Sequence, residues 1–205
     1  MGEGSLLVVE VDSSDRDLVR RVVELVKKGM GVWQAHYAAA CLNQRVCRGL
    51  AAILEKLVGA LLFYSTRLEP GHSLGVIYYV VVEEEYRGMG IGKVLVSSAE
   101  YVLESEGVDL VVATARSENS RSKRLFSSLG YVEVPLHTIE EEYGELLTKL
   151  TCSYEDDVVF YKNLRAKFEE FVSVLDLESN TEKIEKLWYA LCYKPWRELK
   201  NRRLF

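Results

Sequence analysis

Residues 85–95, EYRGMGIGKVL, place three glycines where one kind of segment ends and another begins. Ahead of them GVIYYVVVE (residues 75–83) has the β-branched and aromatic content of a central strand. After them Ile91, Val94, Leu95, Ser98, Ala99, Val102 and Leu103 recur at helical spacing as far as Gly107. A strand that turns through glycines into an amphipathic helix calls for a mixed α/β architecture.

Similar junctions extend along the chain. Residues 5–11, SLLVVEV, read as a strand, followed by a helix opening at Ser14, where Ser-x-x-Asp17 can cap free amides, and stopping near Gly29. An alanine-rich helix carrying His36 comes next. Residues 50–56 and 58–66 read as a strand hairpin, and Glu69-Pro70-Gly71-His72 as a turn. VDLVVATA (residues 108–115) is apolar enough to be buried on both faces. A short helix over 119–129 ends at Gly130, and YVEVPL and residues 157–163 read as closing strands. The Glu- and Tyr-rich stretch between those strands has no assignable pattern. Beyond Asn163 the pattern is helical only, with one stripe on Leu164, Phe168, Phe171, Val172 and Leu175. A second stripe, on Ile184, Leu187, Trp188, Leu191 and Cys192, opens at Ser179-x-x-Glu182. The chain thus divides into a mixed α/β (α+β) domain over 1–163, with a mostly antiparallel central sheet flanked by helices, and a helical C-terminal extension over 164–205.

Composition removes several classes of function. The 205 residues carry a formal net charge of −5 with no basic stripe, which argues against nucleic acid and mildly favours cationic or neutral substrates. No apolar run reaches the ~18 residues of a membrane span. MGEGSLLVVEV lacks the basic region of a signal peptide, and MGEGSL sets Ser5 one place too early for N-acylation, so a cytoplasmic protein is expected. The three histidines are scattered, leaving no metal site in view. Four cysteines without a CxxC pair read as reduced, mostly buried thiols, with a Cys41–Cys47 disulfide as the alternative.

The glycines fit neither common nucleotide fingerprint. G-x-G-x-x-G fails because Lys93 stands three residues after Gly90. The Walker loop fails because only three residues separate Gly88 from Gly92-Lys93, and Val94 replaces the magnesium-binding Ser or Thr. Two readings remain. The turn either serves close packing, or it lets helix-start amides approach a bulky anion. A helix start has four amides without intrahelical partners and about half a positive charge. Hydrogen bonds to charged groups contribute ~1.5–3 kcal/mol each.

Arg87-x-x-Gly90-x-Gly92, after an apolar strand and Glu85-Tyr86, resembles the acyl-CoA pyrophosphate motif of the GNAT superfamily of N-acetyltransferases. Asn119-x-x-Ser122-x-x-Leu125-Phe126-x-x-x-Gly130-Tyr131 is similar to that family's Asn-x-x-Ala-x-x-Leu-Tyr-x-x-x-Gly-Phe. The resemblance covers about four fifths of the chain and leaves out the tail. It implies that the amides of Gly88, Met89, Gly90, Ile91, Gly92 and Lys93, beside Arg87, cradle the pyrophosphate of acetyl-CoA or CoA. It implies further that the backbone of Val80, Val81 and Val82, splayed from the next strand, binds the pantetheine arm together with Asn119. Ser122 and Phe126 belong to the same cofactor-binding motif. The implied reaction is direct attack of an amine acceptor, small molecule or peptide, on the acetyl thioester.

Two departures stand out. Phe126 occupies the place of the tyrosine that protonates the leaving thiolate, and Thr114 that of a glutamate base found in some members. Tyr78 and Tyr79 alternate along their strand, so one of them is expected to face the substrate. Tyr79 and Glu83 are therefore candidate proton carriers, with Glu84, Glu85 and His36 behind them. The competing function is an acyl-CoA-binding sensor or interaction protein with little chemistry. Trp188, Tyr189, Tyr193 and Trp196 read as covering a face of the main domain, with a homodimer contact or an acceptor-pocket wall as alternatives.

Overall fold

The computed structural model describes residues 5–202; residues 1–4 of the acylation pattern and 203–205 of the basic end lie outside them. Seven strands form one sheet in the order β1-β2-β3-β4-β5-β7-β6. They are β1 (Leu7–Glu10), β2 (Arg48–Ile53), β3 (Leu57–Leu68), β4 (His72–Val82), β5 (Leu110–Ala115), β6 (Val132–Pro135) and β7 (Val158–Asn163). Every neighbouring pair is antiparallel except β4 and β5, which run parallel. The expected mixed, mostly antiparallel sheet is present.

Helices cover both faces. On one, α3 (Ile91–Ser105) and α4 (Ser120–Ser127) bury Ile91, Leu95, Ala99, Leu103 and Phe126 against Leu61, Phe63, Ile77 and Phe160. On the other, α1 (Arg16–Met30) and α2 (Val32–Asn43) bury Val22, Val26, Ala38 and Leu42 against Ala60, Leu62 and Val81. The helical spacing of Val19, Val22, Leu25 and Val26 is what makes α1 amphipathic.

The rest of that second face is covered by α5 (Glu141–Thr151), α6 (Phe168–Val172) and α7 (Glu178–Trp188), which share one core with Tyr64, Leu68, Val76 and Val112 of the sheet. A π-helical turn, Tyr189–Tyr193, carries α7 into α8 (Lys194–Arg202). Burying a Leu, Ile or Phe side chain contributes about 1.5–3 kcal/mol. Phe171, Leu175, Ile184 and Leu191 therefore fasten the tail to the sheet firmly. Asn180, fully buried, adds a polar clasp. Its Oδ1 accepts from Glu69 N at 2.7 Å, and its Nδ2 donates to Glu69 O at 2.7 Å and Val174 O at 2.6 Å.

Several sequence expectations are corrected. The cap of α1 is Asp15, not Ser14: Ser14 N bonds Asp12 Oδ1 at 2.8 Å, and this turn presents the Asp15 carboxylate to Leu18 N at 3.0 Å. The first helix runs on to Met30. The second capping signature fails because Ser179 lies inside α7, which starts at Glu178 without a side-chain cap. The unassigned Glu- and Tyr-rich stretch holds α5, built on Leu146, Leu147 and Leu150. The cysteines are paired, Cys41 with Cys47 and Cys152 with Cys192, at Cα separations of 5.2 and 5.6 Å. Reduced thiols are thus overturned, and a cytoplasmic location draws no support from them. No helix among the described residues is long and apolar enough to cross a membrane.

Candidate active site

The parallel pair opens in the middle of the sheet. β4 and β5 stay in register only from Leu74–Leu110 to Ile77–Ala113. Beyond that point β4 continues through Val80, Val81 and Val82 paired with β3 alone. The edge of these three residues that faces β5 is left without a strand partner. Val80 and Val82 pack towards α3, and Val81 towards α1 and α2.

The mouth of this opening leads to the start of α3. Gly90 caps that helix with φ 83° and ψ −2°, and Gly88 also has φ 83°. A Cβ at either position would meet no atom within 4 Å, so packing does not explain these two glycines. Their left-handed backbone explains them in part. The remaining fact is that no side chain caps this helix start. Its free amides and the positive end of the helix dipole face open space. Met89 and Lys93 are exposed, while Ile91 anchors the turn in the core. Gly92 differs from its neighbours, since a Cβ there would make ordinary contacts with Leu125 at 3.6 Å and Val82 at 3.9 Å. Arg87 donates from Nε to Val82 O at 3.1 Å, which ties the turn to the strand end.

Asn119 closes the opposite side. As the cap of α4 it accepts from Ser122 N at 3.1 Å through Oδ1, a bond that does not engage its Nδ2. Phe126 is buried in the core, stacked on Phe160 at 5.1 Å and edge-on to Tyr131 at 5.0 Å.

The expected alternation of Tyr78 and Tyr79 is corrected. Leu62 pairs with Tyr79 and Phe63 with Ile77, so Tyr78 is the extra residue of a β-bulge. A bulge turns two successive side chains to the same side. The two rings accordingly stack at 4.2 Å on the α1/α2 face. Burial pushes the Tyr79 hydroxyl well above its ordinary range, so it stays protonated at neutral pH. The Tyr78 hydroxyl is shielded from solvent without a well-formed hydrogen bond, with the hydroxyls of Tyr79, Tyr64 and Tyr37 nearby.

Glu83 is drawn away from proton transfer. Lys56 lies 3.0 Å and Lys28 3.2 Å from its carboxylate oxygens, and these contacts hold the carboxyl below its usual range. The exposed Glu84 and Glu85 belong to the 3-10 turn Glu84–Tyr86. His36 bonds through Nε2 with Pro195 O at 3.1 Å, so it holds the tail to α2.

One group escaped sequence reasoning. Asp157 N donates to Ala115 O at 3.3 Å, and β5 pairs with β7 from Leu110–Asn163 to Ala115–Val158. That pairing lays the turn before β7 beside Thr114. There the Asp156 carboxyl bonds Thr114, and burial raises it above the usual carboxylate range. A loop carboxylate with no helical or strand pattern around it gave no signal; only the β5–β7 pairing could have pointed to it. No cluster of three metal-ligating side chains exists among the described residues.

A slot between two strands, an uncapped helix start at its mouth and protonated tyrosines at its inner end suit an extended, anionic cosubstrate whose reactive end reaches the α1/α2 face. Comparison with known proteins agrees. The profile of the Acetyltransferase (GNAT) family matches residues 21–131. A mycothiol acetyltransferase of Beutenbergia cavernae is 34% identical over 86 residues, which are 42% of this chain and 28% of that protein. An uncharacterized N-acetyltransferase of Chlorobaculum tepidum is 37% identical over 84 residues, 41% of this chain and 44% of the other. These matches span less than half the length of the relatives. Among solved structures, the NatC complex bound to Gag peptide and CoA has a chain with TM-score 0.61, 17% identity, covering 78% of this chain and 99% of that one. An aminoglycoside acetyltransferase from a soil metagenome, in complex with sisomicin, has TM-score 0.52 and 22% identity, covering 60% and 86%. At such identities the likeness is one of fold.

Proposed function

Because the chain belongs to the Acetyltransferase (GNAT) family, we propose that it transfers an acetyl group from acetyl-CoA to a primary amine by direct attack. The observation that carries this reading is the opening of the sheet after Ile77 and Ala113, aimed at an uncapped helix start. The residues present fit the cosubstrate, since positions 88 and 90 have open space where any larger residue would place a Cβ. The amides from Gly88 to Lys93 and the side chain of Arg87 would hold the pyrophosphate. The unpaired edge of Val80–Val82 and the Nδ2 of Asn119 would hold the pantetheine arm. Ser122 supports Asn119, and Phe126 supports the wall behind it.

Acetyl-CoA supplies an activated acyl group and a thiol leaving group. The chain supplies position and protons. Holding amine and thioester together contributes ~7–11 kcal/mol, more than the ~10²–10⁴-fold of general acid–base catalysis. Tyr79, kept as O–H by burial and set just beyond the point where the strands part, is the acid of this reading. Glu83 organises the strand end through its two lysines.

The test is calorimetric titration with acetyl-CoA, followed by thiol release across a panel of amines. Micromolar binding with turnover supports the reading; absence of binding at high micromolar concentration rejects it. Phe126 favours a second reading, an acyl-CoA-binding sensor, because a phenylalanine in the core cannot protonate a thiolate. Binding without turnover on any amine would select that one.

A further inference from the structure

Three carboxylates in a row, Glu155, Asp156 and Asp157, precede β7, and their surroundings differ. Glu155 contacts Arg116 in an ion pair. Asp157 is held by Ser117, whose N and Oγ donate to it at 2.5 and 2.6 Å. Asp156 alone of the three is half-buried, and it lies beside Thr114 near the end of β5. Near it is Tyr79, whose ring stacks on that of Tyr78, and Tyr37 of α2 lies close to both of these tyrosines. Tyr79 feels the charges of Asp156 and Glu155, and Tyr37 that of Glu155. The shielded Tyr78 hydroxyl, without a well-formed bond, is a second and independent sign that a polar ligand belongs here.

We propose that Tyr37, Tyr78, Tyr79 and Asp156 form the acceptor site for a protonated primary amine bearing no anionic group beside its nitrogen, and that Asp156 takes the proton from that amine. This deepens the acetyltransferase reading and rests on it. Aromatic faces and a carboxylate attract an ammonium group, whereas the row of carboxylates repels an α-carboxylate or phosphate. Peptide amino termini, amino sugars and alkyl diamines fit; free amino acids do not.

The proton balance closes. The ammonium gives one proton to the Asp156 carboxylate, and the freed lone pair forms the C–N bond as the C–S bond breaks. The leaving thiolate takes the Tyr79 hydroxyl proton, and the second proton on nitrogen restores Tyr79. Asp156 returns its proton to water. Besides Tyr79, the groups around Asp156 are Thr114 and Arg116, which favour the carboxylate, and Asp157 and Glu155, which disfavour it.

The experiment uses the full chain and Asp156→Asn, with alanine amide and alanine compared at equal concentrations of unprotonated amine. Acetyl-CoA affinity should agree within twofold between the two proteins by calorimetry. The variant should lose about 100-fold in kcat/KM and the acidic limb of its pH profile. Alanine amide should exceed alanine by at least about tenfold, a discrimination of roughly 1.4 kcal/mol. Retention of wild-type kcat/KM within threefold in Asp156→Asn, or equal use of the two acceptors, overturns the proposal. So does binding of acetyl-CoA with turnover of neither. Failure of the wild type to bind acetyl-CoA overturns the underlying reading instead, and this proposal with it.

Discussion

Tyr78 and Tyr79, consecutive in β4, stack their rings 4.2 Å apart with planes 26° from parallel. An unbroken strand would send them to opposite faces of the sheet. The bulge at Tyr78 keeps both on the α1/α2 face, where the strands part.

The pair separates stability from chemistry. Tyr78→Phe removes a buried hydroxyl that lacks a good partner, so unfolding stability should stay within about 0.5 kcal/mol of wild type or rise. Tyr79→Phe should lower turnover by about 10²-fold while acetyl-CoA affinity is unchanged. Urea denaturation and thiol-release kinetics on both variants check this.

The helix start offers a cleaner test of cosubstrate binding. Gly90→Glu puts a side chain and a negative charge into the space in front of the free amides, and affinity for CoA should fall more than about 100-fold. Gly90→Ala is the control for backbone strain. At φ 83° it should cost about 1–2 kcal/mol in stability with a smaller loss of binding. Affinity within a few-fold of wild type in Gly90→Glu would show that the phosphate lies elsewhere.

Glu83 sets a pH dependence of stability. Lys56 and Lys28 depress its carboxyl in the folded state below the ordinary 4.5. Its contribution is therefore present above about pH 4.5 and is lost as pH falls through the lower, folded value. Thermal unfolding from about pH 7 down to pH 3 should show wild type and Glu83→Gln converging at the acid end. Added salt should narrow the gap at neutral pH, since both lysines are exposed.

Asn180→Ala should destabilise the chain by about 3 kcal/mol, because three hydrogen bonds from a fully buried side chain vanish and the main-chain groups of Glu69 and Val174 lose their partner. Chemical denaturation gives the value directly. A loss under about 0.5 kcal/mol would mean that the tail stays docked without this clasp.

Much of the fold was legible because it depends on local patterns. Val19, Val22, Leu25 and Val26 announce α1, and the glycines at 88 and 90 mark a turn whose backbone only they adopt easily. What stayed hidden depends on contacts between distant segments. Tyr78 becomes a bulge only through its register with β3, which no run of hydrophobicity specifies. The helix α5 was obscured because Leu146, Leu147 and Leu150 are few among glutamates. Asp156 gains its place from β5–β7 pairing, and Cys152 meets Cys192 across a sequence separation of 40. Phe126 and Thr114 are departures that the motif spacing alone reveals, whereas a partner for Thr114 on the turn before β7 has no local pattern to mark it.

The parting of β4 from β5 has a mechanical corollary. Among the described residues, the two halves of the sheet are stitched together along the short stretch from Leu74 to Ile77, with one more main-chain bond from Asp109 N to Ser73 O at 2.8 Å. A ligand lying along Val80–Val82 would act as a missing strand, zipping the seam from within. The cosubstrate would then be a part of the architecture while it is bound, and the empty protein would be the looser of two folded forms.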